Sequence, residues 1–324
     1  MSTALIKFVN VQKYFGAKQV LQHLSFTVSA GEFFVLVGAS GSGKTTTLRL
    51  VNELLTPTAG EIYFNDALIK TYDVRALRLQ MGYVLQQIAL FPNMTVAQNV
   101  ALIPSLQKQN KRKLAPLVDR LLTDLLTDVD LDPQRYRDRM PNELSGGEQQ
   151  RVGILRAFAS QPKIVLMDEP FSALDPISRT QLQRLVRDIH QKLHSTIMFV
   201  THDMDEALQL GDRIGVMRDG QLLQVGTPEE IVRHPADDFV RQLFQKSLSA
   251  DVYDVFLSKL DVLGCLQPAA QATETPQLTE TQTVRDALAA LSRSPRVLLV
   301  SGRGQTSWLT REALYQFITD YRNH

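Results

Sequence analysis

Phe33-Phe34-Val35-Leu36-Val37-Gly38-Ala39-Ser40-Gly41-Ser42-Gly43-Lys44-Thr45 decides the fold of this chain. Its last eight residues match G-x-x-x-x-G-K-[ST] in full. The apolar run before them reads as a strand, and Leu48, Val51 and Leu55 beyond them read as one face of a helix. A strand, a glycine-rich turn and a helix in that order are the context the motif requires. The glycines let backbone N–H groups converge on phosphate oxygens, and the helix N-terminus adds a favourable dipole. Lys44 is placed to reach the β- and γ-phosphates, and the Thr45 hydroxyl to ligate Mg²⁺.

Two further stretches carry chemistry. Ile164-Val165-Leu166-Met167-Asp168-Glu169-Pro170 is an apolar strand ending in two carboxylates. Asp168 is suited to hold Mg²⁺ through water. Glu169, one step further and on the opposite side of the strand, can polarise an attacking water as general base. Ahead of that strand stands Leu144-Ser145-Gly146-Gly147-Glu148-Gln149-Gln150-Arg151. Ser145 followed three residues later by Glu148 has the form of a capping box, so this stretch can open a helix. It is also a second glycine-rich anion binder, and a nucleotide site made within one chain has no need of two. The pair implies that each nucleotide is gripped from both sides by two copies of the protein. That describes a closing machine rather than a simple hydrolase.

Bulk properties narrow the setting. At 324 residues the chain has room for a large first domain and a small second one. Its 35 basic and 34 acidic residues leave a net charge of +1, which gives no electrostatic footprint for nucleic acid, so no such partner is expected. The single cysteine, Cys265, excludes an intramolecular disulfide and fits a reducing compartment. The start, MSTALIKFVNVQKYF, lacks the long apolar h-region of a secretory signal. No run approaches the roughly 18–20 apolar residues of a membrane helix. A soluble cytoplasmic chain is expected, with any membrane role coming through a partner.

Along the chain, the segment up to Gly38 alternates short β-rich runs (Ile6–Val9, Leu24–Val28, Phe33–Val37) with turns such as Ala30-Gly31. Residues from about 88 to 160 read as mostly helical, with Leu117, Leu121, Leu122 and Leu125 at helical spacing. A helix over 177–193 turns Leu182, Leu185, Val186 and Ile189 inward, a strand covers Thr196–Val200, and Asp219-Gly220 makes a tight hairpin between Ile214–Met217 and Gln221–Val225. Gln267–Thr283 is polar, Thr-rich and Pro-punctuated and reads as a linker or loose segment. After it come a helical pattern (Val284, Leu288, Leu291), a strand over Val297–Val300, a Gly-rich turn, a short strand at Trp308-Leu309 and a closing helix.

In this combination and order, the motifs resemble those of the ATP-binding-cassette (ABC) ATPases over residues 1 to about 245. The resemblance implies an α/β P-loop domain over 1–245, with a mixed sheet core, an antiparallel β subdomain and a helical subdomain over about 88–160. ATP and Mg²⁺ are the implied cofactors. ATP contacts fall to Phe15, Gly38, Ala39, Ser40, Gly41, Ser42, Gly43, Lys44, Thr45 and Thr46. Ser145, Gly146, Gly147 and Gln149 face the γ-phosphate bound to the other subunit. Gln86, after the strand-like Met81–Leu85, matches the glutamine loop that senses Mg²⁺ and water and touches the membrane partner; Gln87 is the neighbouring candidate. With Thr45 and Asp168 it completes the Mg²⁺ set. His202 matches the switch histidine that contacts the γ-phosphate and positions Glu169. Asp175, in Ser172-Ala173-Leu174-Asp175, matches the loop that couples the two sites across the dimer. Phe15 matches the aromatic that stacks on adenine, with Tyr14 beside it, and either could instead be a core aromatic.

Among ABC proteins, exporters of the fused kind are excluded by the absent membrane segments. Translation-type members carry two cassettes in one chain, and repair types carry long coiled-coil or zinc-bearing insertions. The importer ATPase is left: a homodimer at the cytoplasmic face of the membrane, paired with integral-membrane permease subunits and indirectly with a substrate-binding protein or domain. Met81–Val96, Asp168–Arg179 and Thr201–Ala207 look like the glycine betaine/carnitine/choline (osmoprotectant) uptake ATPases. Importers of other small solutes, such as amino acids, are the alternative. Residues 278–324 resemble a single CBS motif, a small α+β domain that follows a linker or degenerate remnant over 246–277. Thr283–Leu288 opens its helix, and Ser307–Leu314 echoes the G-x-x-T-x-x-D close, with Ser307 for the Gly and Ala313 for the Asp that usually contacts a ribose.

Overall fold

A strand with no polar side chain needs cover on both faces, and the run Phe33–Gly38 receives it. It forms strand β3, buried over its whole length. The computed structural model describes residues 4–87, 89–107, 123, 132–172, 174–245, 252, 255, 257, 260, 266–269, 276–280, 282–300 and 306–323. The chain splits into two compact units, Met1–His202 with Met217–Leu222, and Asp203–Val216 with Leu223–His324.

The first unit opens with two long strands, β1 (Ala4–Phe15) and β2 (Lys18–Ser29). After β3 come helix α1 (Lys44–Val51), strands β4 (Ala59–Phe64) and β5 (Ala67–Leu68), helix α2 (Val74–Arg78) and strand β6 (Met81–Val84). Helices α3 (Val96–Leu106), α4 (Pro133–Tyr136) and α5 (Gly146–Phe158) follow. Strand β7 (Ile164–Asp168), helix α6 (Pro176–Leu193) and strand β8 (Thr196–Thr201) complete the series. Strands β9 (Arg213–Arg218) and β10 (Gln221–Gly226) form a hairpin whose tip, Met217–Leu222, belongs to this unit. At that tip Asp219 (φ 49) and Gly220 (φ 80) both take the left-handed conformation that a two-residue turn of this hand requires.

In the first unit the central sheet runs β3-β8-β7-β6. Its pairs β3·β8, β8·β7 and β7·β6 are parallel, with Val37 opposite Thr201, Asp168 opposite Val200 and Val84 opposite Met167. The C-terminal ends of these four strands therefore gather at one edge, where parallel α/β sheets hold their ligands. A separate antiparallel sheet, β2-β1-β4-β5, is joined to β3 by stacked rings: Phe8 on Phe26 at 4.5 Å and Phe26 on Phe34 at 5.4 Å. On α6 the four predicted inward residues, Leu182, Leu185, Val186 and Ile189, are all buried. Helix α1 differs from expectation by stopping at Val51, so Leu55 lies beyond it. The Asn52 side chain accepts the N–H of Leu54 at 3.1 Å, a local turn that competes with further helix. Helices α3 and α5 fall within the stretch read as mostly helical, and Leu117, Leu121, Leu122 and Leu125 lie outside the described residues.

The second unit holds helices α7 (Met204–Leu210), α8 (Pro228–Arg233) and α9 (Asp238–Gln245). Its tail builds a four-stranded sheet from β11 (Gln267–Pro268), β12 (Gln277–Thr279), β13 (Arg296–Val300) and β14 (Thr306–Thr310), in the order β11-β14-β13-β12. Helices α10 (Val284–Arg293) and α11 (Arg311–Asn323) accompany it. The tail has its own core, with Val284, Leu291, Val297, Leu309, Leu314 and Phe317 buried. Val232 of α8 packs against this core. The described part of 246–277, read as a linker or degenerate remnant, contributes to the same core. Val252, Val255, Leu257 and Leu260 are buried in the tail core, and the Val255 carbonyl accepts the N–H of Val284 at 2.8 Å. Strands β11 and β12 pair through backbone groups at the sheet edges, which polar residues satisfy as well as apolar ones.

Candidate active site

The turn after β3 is shaped by glycines that no other residue replaces. Gly43, at φ 101, is the N-cap of α1, and a Cβ there would meet Leu21 Cδ2 at 2.6 Å. Gly38 has a carbonyl of Met217 where its Cβ would lie. Gly43 brings no capping side chain, so the first amides of α1 are left for an anion. Lys44 is buried and folds back along the turn, its Nζ donating to the carbonyls of Gly38 (2.7 Å) and Ala39 (3.1 Å). Burial holds its ammonium below the ordinary lysine range, while Glu169 and then Asp168 pull the other way.

At the end of β7 the two carboxylates divide their roles. Asp168 is buried and accepts the Thr45 hydroxyl at 2.8 Å on Oδ1. Burial lifts its carboxyl above the usual range, opposed by the Thr45 hydrogen bond and by Arg49. Glu169 turns the chain in the left-handed region, at φ 46, with its amide donating to the Val200 carbonyl at 2.9 Å. That turn directs its Oε2 to His202 Nδ1, 2.9 Å away, with the carboxylate side chain 17% exposed and the imidazole 56%. A non-glycine residue held in this region stores strain, and such outliers concentrate where geometry serves chemistry. Sequence reasoning missed two members of this neighbourhood. Arg49 acts on the charge of Asp168, and Tyr83 on β6 has its phenol pushed up by burial and by Asp168. The signal for Arg49 was its place one helical turn after Thr45 on α1; nothing in the local pattern singles out Tyr83.

Ser145 does open a helix. Its Oγ accepts the Glu148 amide at 3.3 Å and Glu148 Oε2 accepts the Ser145 amide at 2.7 Å, a complete capping box at the start of α5. Gly146 has open space around it, and the Gln149 side-chain amide donates within its own chain, to the Leu144 carbonyl at 3.1 Å. Asp175 caps α6, accepting the amides of Ile177 and Ser178 at 3.1 and 3.0 Å, and the Ser178 contacts hold its carboxyl low. Gln86 and Gln87 are both exposed just past β6, the strand beside β7. Phe15 is 46% exposed and Tyr14 38%, so neither is a core aromatic, and Lys13 Nζ lies 5.0 Å from the Phe15 ring centroid.

The residues present suit ATP and Mg²⁺. Thr45 and Asp168 already bring two hard oxygen donors together, and Mg²⁺ shared with a phosphate needs few protein ligands. No group of three or more His, Cys, Asp or Glu able to hold a metal by itself lies among the described residues. No helix among them is long and apolar enough to cross a membrane.

Comparison with known proteins agrees. Residues 21–172 match the family described as ABC transporter. The chain is 42% identical to the Choline transport ATP-binding protein OpuBA of Bacillus subtilis (strain 168), over 90% of this chain and 74% of that one. It is 41% identical to the Glycine betaine uptake system ATP-binding protein YehX of Escherichia coli (strain K12), over 93% of this chain and 96% of that one. It spans only 60–63% of the length of further carnitine-transport relatives. Among solved structures it is similar to the dimeric post-hydrolysis state of the ATP-binding cassette MJ0796 bound to ADP and Pi, with 32% as the identity of the related cassette dimer and 31% for this one, a TM-score of 0.60, and 69% of this chain and 98% of that one covered. The chain belongs to the ABC-transporter ATP-binding proteins, in the group of glycine betaine, carnitine and choline uptake subunits.

Proposed function

We propose that two copies of this chain close around two ATP molecules, hydrolyse them and reopen, and that this cycle drives import of a quaternary-amine osmoprotectant through separate integral-membrane permease subunits. The observation that carries this reading is the Glu169–His202 contact of 2.9 Å, one residue past the Thr45–Asp168 pair. It places an oriented carboxylate beside a metal-ready pair, the arrangement a general base for phosphoryl transfer to water needs. Lys44 exchanges its carbonyl partners for phosphate oxygens. Thr45 and Asp168 would hold Mg²⁺, with Gln86 as a further oxygen donor; when bound, the ion neutralises charge on the phosphates. Glu169 takes a proton from the attacking water while His202 fixes its carboxylate. Phe15 stacks on the adenine. Ser145, Gly146 and Gly147 of one copy meet the γ-phosphate on the other, and Asp175 couples the two sites. The γ-phosphate is thus the group whose affinity differs between open and closed dimers, and its loss releases them. The chain works at the cytoplasmic face of the membrane, with the solute delivered to the permease by a binding protein or domain.

The test uses Glu169→Gln. Purified with Mg²⁺ and ATP, the variant is expected to accumulate as a dimer, seen by size-exclusion chromatography with light scattering. In cells whose only copy is this variant, uptake of labelled glycine betaine and choline is expected to stop. A variant that stays monomeric argues against the shared site, and cells that lose amino-acid uptake instead argue against the solute class.

A further inference from the structure

Helix α5 is clamped by more than its own cap. A capping box uses one oxygen of its carboxylate, and Glu148 Oε2 serves in that way on the Ser145 amide. Its second oxygen, Oε1, accepts the Tyr136 hydroxyl at 2.6 Å. Tyr136 ends α4, a single turn started by Asp132, whose side chain accepts the Gln134 amide at 2.9 Å. The Arg139 guanidinium lies 4.5 Å from the centroid of the Tyr136 ring, and that of Arg135 lies 6.0 Å away. The same short stretch closes a second helix start. The Val96 amide donates to the Arg139 carbonyl and the Ala97 amide to the Arg137 carbonyl, each at 2.9 Å. Those are the first two amides of α3, while Thr95 takes the third, from Gln98, at 3.2 Å. Residues 136–139 therefore hold the first turn of α5 with one side chain and the first turn of α3 with their backbone. The phenol is also the largest of the influences that keep the Glu148 carboxyl low.

We propose that Tyr136 is a positioning residue of the composite ATP site: its hydroxyl fixes the Glu148 carboxylate, and through it the Ser145 cap, in the setting that the γ-phosphate of a second copy meets. The inference rests on the shared-site reading above. It also assigns the backbone of Arg137 and Arg139 the task of tying that setting to α3, the helix that follows the Gln86 loop. A solvent-facing cap would keep α5 helical without the phenol. What the phenol adds is one fixed rotation of the carboxylate, and with it one fixed direction for the residues at the helix start.

The experiment is a double-mutant cycle in a Glu169→Gln background, read by sedimentation of the dimer formed with Mg²⁺ and ATP. Tyr136→Phe removes one oxygen and keeps the ring against Arg139. It is expected to weaken the dimer about tenfold, the scale of one charge-assisted hydrogen bond partly transmitted. Binding of a fluorescent ATP analogue to dilute monomer is expected to stay at the parent value. Glu148→Gln approaches the same contact from the other partner and is expected to weaken the dimer too, with the double variant no worse than the poorer single one. A dimer of parental strength in Tyr136→Phe, or additive effects in the double variant, overturns the assignment. Loss of monomer ATP binding in step with the dimer also overturns it, by showing a general structural role. If the Glu169→Gln parent itself fails to dimerise, the shared-site reading falls first, and the parent lane alone reports that.

Discussion

Glu169 offers a direct test of whether its backbone is strained for the sake of chemistry. It holds φ 46 while keeping its carboxylate on His202. A left-handed conformation costs a residue with a Cβ roughly 1–2 kcal/mol. Glycine escapes that cost but gives back about 0.5–1 kcal/mol in unfolded-chain entropy. Glu169→Ala keeps the strain and loses the side chain, whereas Glu169→Gly loses both. The difference between the two variants removes the carboxylate contact from the comparison, and leaves glycine ahead by about 0.5–1 kcal/mol. Urea denaturation of both proteins without nucleotide measures it, with equal slopes required before midpoints are compared. ATP turnover should fall by roughly 10²–10⁴ in both, the usual contribution of a general base. The expected outcome is therefore a glycine variant that is the more stable of the pair and equally inactive. An alanine variant as stable as the glycine one would show that the backbone holds no strain here. Substantial turnover in either would remove Glu169 from the role of base.

Three further outcomes are expected. Lys44→Ala leaves the Gly38 and Ala39 carbonyls without their donor and removes a cation from the phosphate site, so calorimetry should show ATP affinity lower by ~10-fold or more, the scale of a charge-assisted contact. Thr45→Val deletes the hydrogen bond that opposes the burial of Asp168, so that carboxyl climbs further. Because its folded pKa lies above the unfolded one, ionising Asp168 costs stability that is incurred as pH rises through the folded value. The variant should extend that window to higher pH, read by melting curves of the nucleotide-free and metal-free protein against pH. In the tail, Leu309→Ala opens a hole in a fully buried core and should cost about 2–5 kcal/mol of that domain's stability, while ATP turnover at 25 °C stays at the parent value.

How much was legible follows from how local each signal is. The phosphate turn, the two carboxylates and the α5 cap are each written in consecutive residues, since a strand end or helix start is a short-range event. The apolar periods of α6 and of α10 were readable for the same reason. Contacts set by the sheet were not. Tyr83 nears Asp168 because β6 lies beside β7, and Tyr136 reaches Glu148 because a turn folds back; no spacing rule states either. In the tail, composition hid the strand pairing. Its edge strands bond through the backbone and so tolerate the polar, threonine-rich wording that reads as a linker.

Gly146 and Gly147 sharpen the question of what the capped motif is for. In a helix, glycine costs up to about 1 kcal/mol relative to alanine. Nothing among the described residues asks for it here. Neither residue has positive φ, a Cβ on Gly146 would meet no atom within 4 Å, and one on Gly147 would meet only Ser178 Oγ at 3.9 Å, an ordinary contact. The cap consumes the Glu148 amide and leaves the two glycine amides facing outward at the helix start. A helix that needed only its cap would be better served by alanine at both positions. The glycines make sense if something from outside the chain must come close to those amides. Gly146→Ala separates the two purposes. It should raise the melting temperature of the isolated chain and leave ATP binding to the monomer unchanged. In a Glu169→Gln background, it should also weaken the ATP-driven dimer by ~10-fold or more, because a methyl group stands where an oxyanion must approach. A stabilised variant that dimerises as well as its parent would show that the motif is a helix cap and nothing further.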